Sequence, residues 1–243
     1  MKKILFGCMV LISACQSATP APPSESTPTE PVRTPTEAPS ATPGLTPTPA
    51  FTSTPLPLFF TDEFSTDMNS WLSFQTGGEA APEATLTNDF LRLDFPSADT
   101  WYYLIHNVHT YRNAFINTQF VGTPSGSAGL VCRYSDAGWL EFNIASDGTY
   151  SVLFGKWLAE GIAEYKPIAT DTSEYIHAGT FDYEVGMTCQ EDHVLLHVNG
   201  KLFRKIDVAR FELTEGRVGL SAASFAETPM IASFDWFRVS EPE

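Results

Sequence analysis

The chain has 243 residues, and its prolines are too unevenly spread for one uniform domain: 12 of 18 fall between Pro20 and Pro57. Residues 1–57 carry three cations and three anions, so the net charge of −15 sits on residues 58–243, as 11 Lys/Arg against 26 Asp/Glu. That balance excludes nucleic acid and anionic lipid as partners of the acidic part, and 43% hydrophobic residues exclude a fully disordered chain.

Met1-Lys2-Lys3 is a short positive start, followed by an almost wholly apolar run from Ile4 to Ala14. Such a run is too short to span a bilayer but suits the apolar stretch of an export signal. It closes on Leu11-Ile12-Ser13-Ala14-Cys15, small residues directly before a cysteine. This resembles the bacterial lipoprotein signal, and the resemblance implies that residues 1–14 are removed and that Cys15 carries the lipid. The chain is therefore expected on the outer face of the cytoplasmic membrane or in the cell envelope, held to the membrane by lipid alone.

Residues 15–57 comprise that cysteine and a Pro/Thr-rich tether, with 12 Pro and 10 Thr among residues 16–57. Proline removes backbone donors and favours an extended polyproline II chain, so the segment has no apolar face to bury. Forty-two residues at about 3.1 Å each reach on the order of 130 Å, enough to hold a domain clear of a surface.

Residues 58–243 read as an all-β domain. Leu91, Leu93 and Phe95 alternate along one face, as do Leu140, Phe142 and Ile144, then Tyr150, Val152 and Phe154, then Val194, Leu196 and Val198. Asp147-Gly148 and Asn199-Gly200 are hairpin signals between such runs. Only Trp157–Tyr165 approaches a helical period, and Gly161 and Pro167 weaken it. About twelve strands without helical crossovers predict antiparallel sheets packed as a sandwich, with a closed barrel as the alternative. Cys132 and Cys189 each share a strand face with apolar residues, and an even number of cysteines in an exported domain favours a bridge over two buried thiols.

The ordered pieces Asp62-Glu63-Phe64-Ser65 with Trp71, Gly129-Leu130-Val131-Cys132-Arg133-Tyr134, Trp139-Leu140-Glu141-Phe142, Ser146-Asp147-Gly148, Val198-Asn199-Gly200-Lys201, Gly216-Arg217-Val218-Gly219-Leu220 and Phe234-Asp235-Trp236-Phe237-Arg238-Val239 carry a resemblance. Together they resemble the concanavalin A-like lectin/glucanase superfamily. More narrowly they are similar to exported modules grouped with the 3-keto-disaccharide hydrolase domain, over about residues 58–240. The resemblance implies a two-sheet antiparallel jelly-roll sandwich whose concave face often binds glycans.

Retaining glucanases of this fold carry three carboxylates on one strand, two of them about 5 Å apart. Here Glu141-Phe142-Asn143 offers one carboxylate and one amide, with Ala145 next on that face, so no catalytic residue is assigned. His106/His109 and His193/His197 do not form a zinc pattern on strands, and no phosphate loop or nucleophile elbow occurs. Binding has more to build on. Trp139, Glu141 and Asn143 share a strand face opposite the apolar set, and by the family order Arg133 on a neighbouring strand joins them. This places an indole, a carboxylate, an amide and a guanidinium on one expected solvent-facing surface, rimmed by Trp101, Tyr102 and Trp157. Asp62, Glu63 and Asp235, on terminal strands that the resemblance pairs, are a candidate calcium set, and no other cofactor is expected.

The sequence thus predicts a monomeric, lipid-anchored, non-catalytic carbohydrate-binding or adhesion module whose partner is a glycan or cell-wall polysaccharide. A glycoside-processing hydrolase with an unrecognised site, or a partner-docking domain, are the alternatives.

Overall fold

The computed structural model describes residues 56–242; the expected export signal, Cys15 and nearly all of the expected tether lie outside them. Fifteen strands and a single turn of 3-10 helix, Ala209–Phe211, account for the regular structure, with no α-helix among the described residues. In chain order the strands begin with β1 (Phe60–Asp62), β2 (Trp71–Gly77), β3 (Glu83–Thr87), β4 (Phe90–Phe95) and β5 (Thr100–His106). Next come β6 (Ala114–Gly122), β7 (Gly126–Ser135), β8 (Gly138–Ala145), β9 (Thr149–Ala159) and β10 (Ile162–Thr172). The last are β11 (Asp182–Gln190), β12 (His193–Val198), β13 (Lys201–Asp207), β14 (Arg217–Ser224) and β15 (Met230–Ser240).

All pairing is antiparallel. The first sheet runs β13-β12-β11-β6-β15-β4-β3, and β1 pairs with β15 beyond the end of β4. The second runs β10-β9-β8-β7-β14-β5-β2. This is the expected two-sheet sandwich. The count exceeds the expected twelve because short or polar strands such as β1 and β3 carry too little alternation to be read. Trp157–Tyr165 is no helix: it is the β9–β10 hairpin, turned at Gly161 with φ of +72°, where a glycine has no Cβ to strain.

Alternation decides what each strand buries. Leu91, Leu93 and Phe95 of β4 meet Leu140, Phe142 and Ile144 of β8 and Val194, Leu196 and Val198 of β12 in one continuous core between the sheets. The Asn199-Gly200 hairpin has both φ angles positive, the backbone that lets a two-residue loop follow the twist of its strands. Cys132 of β7 and Cys189 of β11 are joined across the core, stapling one sheet to the other over a separation of 57 residues.

Asp62, singled out in the sequence, has a structural task. Its carboxylate accepts the Phe64 backbone N–H at 2.9 Å and the Trp71 indole N–H at 2.8 Å, fixing the β1–β2 connection. His106, which pairs with Trp71 at the start of β2, is 2% exposed; its ring lies 4.3 Å from that of Phe60, and its Nδ1 has no hydrogen-bond partner. Burial lowers its pKa to about 4, against the pull of nearby Asp62 and with the push of His109. The native state therefore holds His106 neutral, whereas the unfolded chain takes up a proton near pH 6.5. Stability from this group is full above about pH 6.5 and is lost as pH falls toward 4, by on the order of 2–3 kcal/mol. Melting curves across that window should show the fall, and His106→Phe, which keeps the ring and removes the titration, should flatten it.

Candidate functional site

The inner strands β5, β7, β8 and β14 of the second sheet are buried on both faces. On the side away from the main core, Tyr103, Ile105, Val131 and Trp139 form a second apolar cluster, joined by Phe74, Trp101, Tyr134, Trp157, Ala163 and Tyr165. Strand β5 shows why: Trp101-Tyr102-Tyr103-Leu104-Ile105 is a continuous apolar run, the signature of a strand with no wet face. That run was the sequence signal for the second cluster.

The sheet curls until its two edge strands touch. Thr76 of β2 and Tyr165 of β10, at opposite ends of the strand order, have their hydroxyl oxygens 2.6 Å apart. From Tyr165 a chain of polar groups runs inward. Its hydroxyl lies 3.1 Å from that of Tyr103, which donates to Glu141 Oε2 at 2.8 Å. Glu141 Oε1 accepts from the Asn143 amide at 2.7 Å, and Asn143 Oδ1 accepts from the Ser221 hydroxyl at 2.8 Å.

Burial holds the Glu141 carboxyl above its usual range, opposed by the hydrogen bonds from Asn143 and Tyr103. The Tyr103 hydroxyl is held well above the usual phenol range by burial and by the neighbouring Glu141. Tyr165 is pushed up to about 12, mainly by burial. Both phenols stay protonated and serve as hydrogen-bond partners. The side chains that set the Glu141 carboxyl's range are an amide, hydroxyls and an indole, and none of them is the second carboxyl of a retaining glycosidase.

These facts correct the expected solvent-facing platform. Trp139, Glu141 and Asn143 do share a face, but they are 0, 1 and 4% exposed beneath the curled sheet. Alternation assigns a residue to a side; it does not say whether that side is open. Trp139 fits because its partner across the strand pair is Gly155, where a Cβ would lie 2.2 Å from the indole Cε2. Its Nε1 is buried without an acceptor in hydrogen-bonding geometry.

Arg133 does not join this face. It sits at a bulge in β7 with φ of +56°, and the extra residue re-aims the side chain. Its guanidinium donates to the Leu213 carbonyl at 2.6 Å and to that of Glu191, so it clamps two loops. Tyr102 is not a rim residue either, since it packs into the main core. Trp101 and Trp157 are half-buried at the margin of the aromatic cluster. Asp62, Glu63 and Asp235 do not converge: among the described residues, no three His, Cys, Asp or Glu side chains are grouped to hold a metal ion.

Two cavities of about 470 Å³ open to solvent. One lies by His106 and the β1–β2 connection, lined by Phe60, Asp62, Glu63 and several hydroxyls. The other lies where the curled sheet closes, between β2 and the β9–β10 hairpin, lined by Phe74, Gln75, Trp157, Ala159, Glu160 and Gly161. The Phe74 and Trp157 rings stand 4.9 Å apart at 62° and form a corner, with the buried Trp139 ring 5.7 and 5.2 Å behind them.

No family model matches the sequence, and no curated protein matches it. Solved structures do. A Bacillus subtilis protein of unknown function with a galectin-like fold superimposes with a TM-score of 0.57 at 11% identity, covering 75% of this chain and 94% of that one. The fold is a galectin- and glucanase-type jelly roll. A Bacillus licheniformis β-glucanase shares this jelly roll at a TM-score of 0.54 and 11% identity, over 76% of this chain and 98% of its own. A family 16 endo-glucanase from Bacteroides ovatus, solved with the ligand G4G3G-2F-DNP, superimposes at 0.53 and 8% identity, over 74% and 99%. At such identities the likeness is one of jelly-roll architecture.

Proposed function

We propose that this protein is a lipid-anchored, non-catalytic carbohydrate-binding module, carried on the outer face of the bacterial cytoplasmic membrane by Cys15 and its Pro/Thr tether. The observation that carries the reading is the cavity between β2 and the β9–β10 hairpin. It combines two aromatic rings at a corner with exposed Glu160 and with Gln75, whose amide nitrogen donates to the Gly77 carbonyl at 2.7 Å and leaves its oxygen as an acceptor. Sugars present apolar C–H faces that pack on aromatic rings, and hydroxyls that pair with amides and carboxylates. The jelly-roll fold, shared with β-glucanases, is compatible with this reading. A retaining glucanase is disfavoured, since none of the side chains that bond to Glu141 is the second carboxyl which that chemistry needs.

Titration of the full chain against a panel of neutral oligosaccharides should give binding that Trp157→Ala weakens by about tenfold or more, the loss typical of an aromatic anchor. Binding unchanged in Trp157→Ala would move the site elsewhere. Metabolic labelling with a radiolabelled fatty acid should mark the wild type and not Cys15→Ala.

A further inference from the structure

We infer that the cavity beside Trp157 grips the end of a neutral glycan chain and does not admit the middle of one, an inference that rests on the carbohydrate-binding reading above. Three features point to this. The first is closure. A polysaccharide lying along the curled face needs an open strip across β5, β7 and β8, and that strip is filled by Tyr103, Ile105, Val131 and Trp139, all buried. The contact of Thr76 with Tyr165 then joins the two edges over it.

The second is the shape of what remains open. Phe74 and Trp157 make two walls at 62°, and further along the edge strands β2 and β10 the Thr76–Tyr165 contact closes the seam. An internal sugar has glycosidic links leaving on two sides, one of which would run into that closed seam. A terminal sugar has one link, which leaves toward solvent past the hairpin turn at Glu160 and Gly161, while its own ring packs into the corner. At about 470 Å³ the cavity suits one or two sugar rings.

The third is charge. Glu160 is the one charged side chain among the lining residues, and no Lys or Arg joins it. Uronates, sialates and phosphorylated sugars would bring an anion to an anionic rim on a domain that already carries the whole net charge of −15. Uncharged hydroxyls meet the Glu160 carboxylate as donors instead.

The test uses the full chain with Cys15→Ser, so that it stays unlipidated. The probes are mixed-linkage β-glucan, xylan, galactan, mannan and fructan, each intact and after partial endo-cleavage, at equal mass. For a glycan that binds, cutting the chains about tenfold shorter should raise the number of binding sites per gram by about tenfold, because occupancy follows the concentration of ends. Glu160→Ala, at an exposed turn that tolerates substitution, should weaken that binding about fivefold, as should Trp157→Phe. Sites per gram that stay constant on cleavage would overturn the chain-end assignment while leaving a carbohydrate-binding module in place. Absence of binding to every probe would overturn the carbohydrate reading itself.

Discussion

Trp139→Ala is expected to destabilise the chain by about 3–5 kcal/mol, the range for emptying a buried large aromatic site. Against a typical domain stability of about 5–15 kcal/mol, this is a large share of the total. The cost is high because the site has no route to collapse. The indole touches Phe74, Tyr103, Tyr134, Trp157 and Tyr165, and it faces the backbone of Gly155 on the neighbouring strand. Those neighbours are held in turn by the Thr76, Tyr165 and Tyr103 hydroxyls, which anchor β2, β10 and β5. Trp139→Phe should cost less, because it fills most of the space. Gly155→Ala probes the same contact from the other side, and overpacking there should cost about 1–3 kcal/mol. Urea unfolding of the three variants decides the matter; a loss below about 1 kcal/mol for Trp139→Ala would mean that the cluster is not packed as described.

Removing the Cys132–Cys189 bridge is the second large effect. A closed loop of 57 residues restricts the unfolded chain by about 4 kcal/mol on the loop-entropy account. The bridge joins β7 of one sheet to β11 of the other, so no backbone ladder duplicates it. Cys132→Ala/Cys189→Ala should therefore lower the denaturant midpoint strongly while leaving the far-ultraviolet spectrum of the folded state unchanged. Wild type in strong reductant should approach the double variant. If reduction leaves the midpoint where it was, the staple adds nothing to stability.

Several of these elements were legible in the amino-acid order, for a simple reason. A strand alternates with period two, so Leu91-Leu93-Phe95 and Leu140-Phe142-Ile144 announce their buried side directly. Paired cysteines among apolar neighbours announce a bridge in the same way. What alternation does not encode is curvature. Trp139, Glu141 and Asn143 were correctly placed on one side, but the curl that brings Thr76 to Tyr165 depends on residues 89 apart in sequence. Arg133 was misplaced because a bulge shifts side-chain parity by one, and no glycine marks it: the left-handed residue is the arginine itself. The corner of Phe74 and Trp157 was half visible, as a tryptophan near a turn. Its other wall comes from the far edge of the sheet.

The aromatic stack also makes the protein its own optical gauge. Trp101, Trp139 and Trp157, three of the five tryptophans, lie in one cluster with Tyr103, Tyr134 and Tyr165, and the Trp139 and Trp157 centroids are 5.2 Å apart. Rings that close and that fixed couple their intense far-ultraviolet transitions, so the circular dichroism there should carry a signed couplet on top of the strand signal. The two indoles stand on the paired strands β8 and β9, so the couplet should persist when the β2–β10 seam parts and vanish only when that strand pair loosens, and a guest in the Phe74–Trp157 corner would rescale it in an unlabelled chain.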